Sequence, residues 1–283
     1  MWKLLLAGFA VAVGLGAFAI WTANERFDRA VDRRIGDLLA AGRSEAHVVT
    51  DADLATLPEP IARWLRHADV VGKPIPASVR LRQRGRIRQS PESPWMSFRA
   101  DQYYTIDPPG FIWRVSASIP PGVFVRGFDA LEDGRGAMRM KALALFSVVD
   151  ANGPTIDQGA ALRYLQETVW FPFAALSRSI AWDAIDASRA RATLSINGET
   201  VSGVVHVDEA GCVTLFEGLR YRDEAPAPAL RPWQAVTRED RGMSGIRVPT
   251  AGEGVWVIDD GPFVYVELEI LDLEYDVPEI YLR

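Results

Sequence analysis

Cysteine, histidine and lysine are scarce in this chain of 283 residues, which carries only Cys212, three histidines (His47, His67, His206) and three lysines (Lys3, Lys73, Lys141). One cysteine excludes an internal disulfide and any multi-thiolate zinc cluster. The histidines lie far apart, without the His-x-x-x-His or His-Glu spacing of a helix-borne site, so the sequence predicts no metal and no cofactor. Basic excess is missing too: a net charge of -6 and a pI near 5.2 exclude a general nucleic-acid binder. Catalytic signatures are equally absent. GMSGI around Ser244 lacks the second glycine of a nucleophile elbow, DGRGAM reads as a turn, and Glu132-Asp133 and Asp259-Asp260 sit beside glycine as turn residues do. No catalytic residue is assigned.

One stretch has no charge at all. Residues 4–21, LLLAGFAVAVGLGAFAIW, would measure about 27 Å as a helix, close to the roughly 30 Å apolar core of a bilayer. It reads as a single-pass anchor or a signal peptide, and the amphipathic pattern that follows favours a retained anchor, because Phe27, Val31, Ile35 and Leu38 share one helical face. Arg26, Arg29, Arg33 and Arg34 after the span would hold the rest of the chain in the cytoplasm, whereas the short N-terminal region before an apolar segment is that of an exported protein. The extracytoplasmic orientation is preferred. The expected organisation is an anchor or signal segment (1–22), a juxtamembrane helix (23–47) and one strand-rich globular domain (48–283).

Beyond two short helical segments, one capped at Thr50 with Asp53 and one opened by Pro60, the pattern changes to period two from Val79 onward. VRLRQRGRIR, WMSFRADQYYTI, FIWRVSASI, VFVRGFDAL, GAMRMKALALFSVV, ARATLSI, ETVSGVVHV, CVTLFEGLRYR, WQAVTRE, GVWVI and FVYVELEILDLEY are separated by short turns, including the hairpin signal Asn197-Gly198. No strand–helix alternation accompanies them. The fold class predicted is mainly β with accessory helices: a curved, mostly antiparallel sheet of about ten strands packed on one central helix and preceded by the transmembrane helix.

That central helix is expected over residues 158–176, N-capped by Asp157 and kinked or ended by Pro172. Arg163 and Glu167 stand one turn apart, and Tyr164, Trp170 and the strand residue Trp113 surround them in the ligand-binding set proposed from sequence: a polar clamp at the mouth of an aromatic-lined cavity. The alternative is a core helix with a structural ion pair. Arg80, Arg82, Arg84, Arg86 and Arg88 occupy alternate positions and so share one strand face, which makes Arg82, Arg84 and Arg86 candidate anion ligands, because guanidinium forks match phosphate oxygens. Here the alternative is a solvated face paired with acids such as Glu267, Glu269, Asp272, Glu274 or Asp276.

LPEPIARWLRHADVVGKPIP, VRLRQRGRIR, WMSFRADQYY, PPGFIWRVSA, DGRGAMRMK, RYLQETVWFPFAAL and AWDAID, in this order, resemble an uncharacterised bacterial family of membrane-anchored proteins known only as a domain of unknown function, a resemblance that covers roughly residues 54–275. More distantly, the architecture is similar to half-barrel lipoprotein carriers. The resemblance implies a fold and names no activity. From residues and resemblance together, the leading function is a membrane-anchored module binding an apolar or amphipathic ligand such as a lipid. An envelope interaction or assembly protein without a small ligand, and a hydrolase using Glu167, are the alternatives.

Overall fold

The computed structural model describes residues 2–44, 46–119, 123–143, 145–224 and 226–282, with backbone only at 3–5, 7, 10–13, 17, 119 and 123. Helix α1 (Trp2–Ala41) is followed by two short helices, α2 (Asp51–Leu54) and α3 (Glu59–His67). Thr50 and Asp53 form the capping box of α2, and Pro60 sits in the first turn of α3, whose Ile61, Trp64 and Leu65 are buried.

Among the described residues, thirteen strands make one antiparallel sheet. The first six are β1 (Ser78–Ile87), β2 (Met96–Thr105), β3 (Gly110–Ile119), β4 (Val123–Glu132), β5 (Arg135–Ala142) and β6 (Phe146–Asn152). Seven more follow helix α4 (Pro154–Glu167): β7 (Ile180–Ala184), β8 (Arg189–Ile196), β9 (Glu199–Val207), β10 (Val213–Arg222), β11 (Ala229–Met243), β12 (Ile246–Ile258) and β13 (Gly261–Tyr275). Each strand pairs with its sequence neighbour, except that β1 pairs with β13, which joins the two runs into the order 6-5-4-3-2-1-13-12-11-10-9-8-7. Helix α4 touches β4, β5 and β6 as well as β8, β9 and β10, which lie at opposite ends of that order. A sheet can do this only by curling around the helix, so the fold is a half-barrel with α4 in its concavity. The β4–β5 turn meets the β8–β9 turn, where Asn197 Nδ2 donates to the Asp133 carbonyl at 2.7 Å.

The count exceeds the expected ten or so. Segment 136–149, read as one run, belongs to the hairpin β5–β6, turned near Leu143 at φ 52° without glycine or proline to mark it, and β7 is only 5 residues long. Helix α4 also differs from its prediction. It ends at Glu167, and two short 3-10 turns follow, Thr168–Trp170 and Pro172–Leu176. Proline excludes the α conformation from the residue before it, and Phe171 accordingly sits at φ -139°, ψ 68°. Asp157 is not the N-cap, which is Gly153. Its carboxylate instead accepts from the Gly136 N–H at 2.7 Å and Arg135 at 3.1 Å, tying the helix to β5.

The concave face holds the main core, including Leu81, Phe98, Phe111, Leu162, Leu165, Phe171 and Phe216. The convex face carries a smaller one, in which Val31, Ile35, Leu38 and Leu39 of α1 cover Tyr103, Ile112, Phe128 and Ala130. Contacts of α1 then march along β4: Arg34 pairs with Glu132, Phe27 stacks on Phe128, and Asp28 binds Arg126 at 2.7 Å, while Ile20 and Asn24 line a small cavity together with Phe124. The apolar half of α1 therefore leaves the sheet at the Phe124 end. Much of the expected anchor falls on side chains outside those described (4, 5, 7, 10–13 and 17), and among the described residues no helix is long and apolar enough to cross a membrane.

Candidate functional site

Two places bring predicted site residues together. Inside the half-barrel, Arg163 and Glu167 of α4 meet strand side chains that no sequence pattern links to them. Arg163 donates to Glu167 Oε1 and Asp129 Oδ2, each at 2.8 Å, and its guanidinium stacks over Phe111 and Trp113. Glu167 Oε2 accepts from Gln102 at 2.7 Å and Tyr104 at 3.1 Å, and Gln83 donates to Gln102 at 2.8 Å. Burial pushes the Glu167 carboxyl up, against the pull of Arg163, Tyr104 and Gln102. Burial also raises the Tyr104 hydroxyl well above its ordinary range. Trp113 is buried, and its indole Nε1 has no hydrogen-bond partner among the described residues. Tyr164 and Trp170 belong to other contacts: their side chains donate to the carbonyls of Thr105 (2.9 Å) and Pro249 (3.1 Å). The clamp is thus filled by the protein itself, with Tyr104, Tyr164, Phe111 and Phe171 fully buried around it.

The second place is the convex face, where the ladder registers align side chains in rows across β1, β2, β3 and β4. One row reads Arg82, Asp101, Arg114, Phe128, and the next two read Arg84, Arg99, Ser116, Arg126 and Arg86, Ser97, Ser118, Phe124. In the first row charge alternates: Asp101 lies 3.4 Å from Arg82 and 2.5 Å from Arg114, and Arg114 also binds Asp32 of α1 at 2.7 Å. Arg82 further stacks on Tyr281 and donates to the Leu282 carbonyl, outside the groove described next. In the second row the alternation breaks, because Arg84 and Arg99 stand directly opposite each other. Like charges in that position repel. Arg84 has Glu269 on its other side at 2.6 Å, and Arg86 has Glu267 at 2.6 Å. Hydrogen bonds from Arg86 hold the Glu267 carboxyl below its usual range. Arg99 is exposed and has no hydrogen-bond or ion-pair partner among the described residues.

These rows floor an open groove of about 710 Å³ lined by Arg84, Arg86, Arg99, Ser97, Ser116, Ser118 and Phe124, with Glu267 and Glu269 along the β13 side. Its Phe124 end adjoins Ile20 and Asn24 of α1, beside a second cavity of about 210 Å³. Cations, hydroxyl donors and an exposed phenylalanine on one surface suit a ligand with an anionic head and an apolar body.

A family model matches residues 47–268. The chain belongs to DUF6544, a family of unknown function. The DUF6544 match begins after α1 and ends within β13, so it takes in the interior network and the groove residues of β1 to β4, and stops one residue short of Glu269. No curated protein matches the sequence. Among solved structures, the chain is similar to a LolA superfamily protein from Nitrosomonas europaea, at 13% identity and a TM-score of 0.42 over 75% of this chain and 91% of that one. It is also similar to a DUF1329 family protein from Desulfovibrio piger, at 12% identity and a TM-score of 0.39 over 78% and 94% of the respective chains.

Of the sequence-predicted residues, Arg163, Glu167 and Trp113 come together in the interior, and Arg84 and Arg86 in the groove. Arg99, Ser116 and Phe124 escaped prediction, because only the β1–β2–β3–β4 register brings them beside the arginine ladder.

Proposed function

We propose that this protein is a membrane-anchored module that binds an anionic amphiphile, such as a phosphate-headed lipid, in the convex groove, with its globular part on the extracytoplasmic side. The observation that carries the reading is the opposed pair Arg84 and Arg99. Arg84, already paired with Glu269 on its β13 side, and the unpaired Arg99 occupy opposed ladder positions with no acid between them, where a bound anion would relieve their repulsion, and guanidinium forks fit phosphate oxygens bidentately. Ser97, Ser116 and Ser118 add hydroxyl donors, and Phe124, 55% exposed, offers apolar surface to the ligand's body.

The anchor belongs to the same reading. Trp2, Leu6, Phe9, Leu15, Phe18 and Trp21 of α1 are all more than half exposed, an apolar surface left uncovered among the described residues. Trp2 and Trp21 would lie about 28 Å apart along the helix, as interfacial tryptophans at two membrane faces do. A groove that opens where this helix leaves the sheet lies at the membrane surface, within reach of lipid headgroups. The interior set Arg163, Tyr164, Glu167, Trp170 and Trp113 serves in this reading as a structural clamp between α4 and the sheet.

Native mass spectrometry of the full chain released from mild detergent tests the proposal. Retention of one anionic lipid by the wild type, lost in the Arg84→Ala/Arg99→Ala double variant, is the expected result. Wild-type protein that carries no lipid, or a variant that retains the same lipid, would overturn it.

A further inference from the structure

Away from the groove, three side chains widely separated in sequence converge on one point. His67 closes α3, Cys212 follows the turn between β9 and β10, and Asp240 lies in β11. His67 Nε2 is 3.0 Å from Asp240 Oδ2 and 3.4 Å from Cys212 Sγ, and the three donor atoms all lie within 4.8 Å of one another. Tetrahedral zinc, with bonds of about 2.0 Å to nitrogen and oxygen and about 2.3 Å to sulfur, sets nitrogen about 3.3 Å from oxygen and about 3.5 Å from sulfur. The triangle therefore has the size of three ligands around one ion.

Backbone features hold this convergence in place. Gly211, at φ +94°, lets the β9–β10 turn press on α3: a Cβ there would stand 2.6 Å from His67 Cβ and 2.9 Å from the Arg63 carbonyl. Arg63 in turn donates to the Asp208 carbonyl at 3.0 Å, and Asp208 Oδ1 accepts from the Cys212 N–H at 2.8 Å. On the other side, Glu239, at φ 57°, leaves the ladder between Arg238 and Asp240 without a change of register, a local backbone distortion next to Asp240. Arg247, whose N–H bonds the Ala68 carbonyl just past α3, donates to Asp240 Oδ2 at 2.9 and 3.0 Å and fixes the carboxylate, as outer-shell partners of metal ligands do.

A protein-only explanation leaves one conflict. The thiol and the carboxylate both approach the same imidazole nitrogen, which can donate or accept only one good hydrogen bond. An ion at the centre satisfies all three groups at once. We propose that His67, Cys212 and Asp240 bind one divalent transition-metal ion of the zinc class, tying α3, the β9–β10 turn and β11 together with one coordination position left to solvent. The mixed nitrogen, sulfur and oxygen donors suit zinc or cobalt and disfavour magnesium and calcium.

Cobalt titration of the full chain in detergent, first stripped of metal with a chelator, tests the assignment. The chain has a single cysteine, so any thiolate-to-cobalt charge-transfer band must arise from Cys212. The expected result is a band that saturates at one cobalt per chain and is abolished by one equivalent of zinc. His67→Gln and Asp240→Asn should each weaken cobalt binding at least tenfold while native circular dichroism persists. Absence of the band in wild type, or affinity unchanged in both variants, would overturn the proposal. Should either variant fail to fold, Cys212→Ser takes its place, with loss of zinc-dependent thermal stabilisation as the expected readout and its retention as the contrary one.

Discussion

Arg163 and Arg99 show how differently one residue type behaves on the two faces of a sheet. Arg163 has only 15% of its side chain exposed and two carboxylate partners, so without the Glu167 charge it still pairs with Asp129, while Gln102 and Tyr104 lose a charged acceptor. Glu167→Gln should destabilise the fold by about 1.5–3 kcal/mol, the range for hydrogen bonds to a charged group, read as a lower urea midpoint at constant slope. Arg99 is exposed and faces Arg84, so Arg99→Ala should shift stability by less than about 0.5 kcal/mol while weakening an anionic ligand about fivefold, the effect of roughly 1 kcal/mol per arginine near an anionic lipid surface. Glu267→Gln should act oppositely. Freed from its acid, Arg86 becomes available to the ligand, and affinity should rise in the same titration.

Sequence pattern reached some of these residues and stopped at others for a definite reason. Arg163 and Glu167 are readable as neighbours because they lie on one helix, and Arg80 to Arg88 because they lie on one strand. Some of the acids opposite the ladder are accessible too, since Glu267 and Glu269 alternate with the same period and face Arg86 and Arg84, whereas Glu274 faces Arg80 only through the register shift between Ile270 and Asp272. Asp129, Gln102 and Arg99 were not, because each becomes a partner only through strand register, which period two leaves open. The His67, Cys212 and Asp240 cluster is the extreme case, assembled across 145 and 173 positions of sequence.

Among the elements, α1 carries two kinds of surface on one continuous helix, and the change from one to the other places the groove. Its C-terminal half is bound by apolar contact and ion pairs, so Ile35→Ala, at a fully buried position, should cost about 2–5 kcal/mol and loosen the helix from the sheet, detectable as faster amide exchange at Tyr103 and Ile112. The amphipathic spacing of Phe27, Val31, Ile35 and Leu38 was legible; that the covered face is the convex one was not, since either face of β2 and β3 carries apolar residues. Helix α4 approaches β5 closely because position 136 is glycine: a Cβ there would sit 2.5 Å from the Ile156 carbonyl. Gly136→Ala should therefore lower stability by about 1–3 kcal/mol through displacement of the first turn of α4.

At the scale of the molecule, the 13-stranded sheet wraps one face around α4 and presents the other to α1 and solvent, and it buries tyrosines on both. Burial raises the hydroxyls of Tyr103, Tyr104, Tyr164, Tyr275 and Tyr281 above their ordinary value of 10.0. A group whose folded value is raised contributes stability that is complete below its unfolded value and is lost as pH climbs past it. Tyrosinate absorbance from these residues should thus appear together with cooperative unfolding above about pH 10, and not as a separate titration of the folded protein.

The most direct test of the account is an equilibrium titration of the full chain with two soluble short-chain lipids of equal chain length, one phosphate-headed and anionic, the other zwitterionic, for wild type and Arg99→Ala. Preferential binding of the anionic lipid, reduced about fivefold in Arg99→Ala with the weak zwitterionic binding unchanged, is the predicted result. Equal binding of both lipids, or discrimination that survives the loss of Arg99, would contradict the groove as the ligand site.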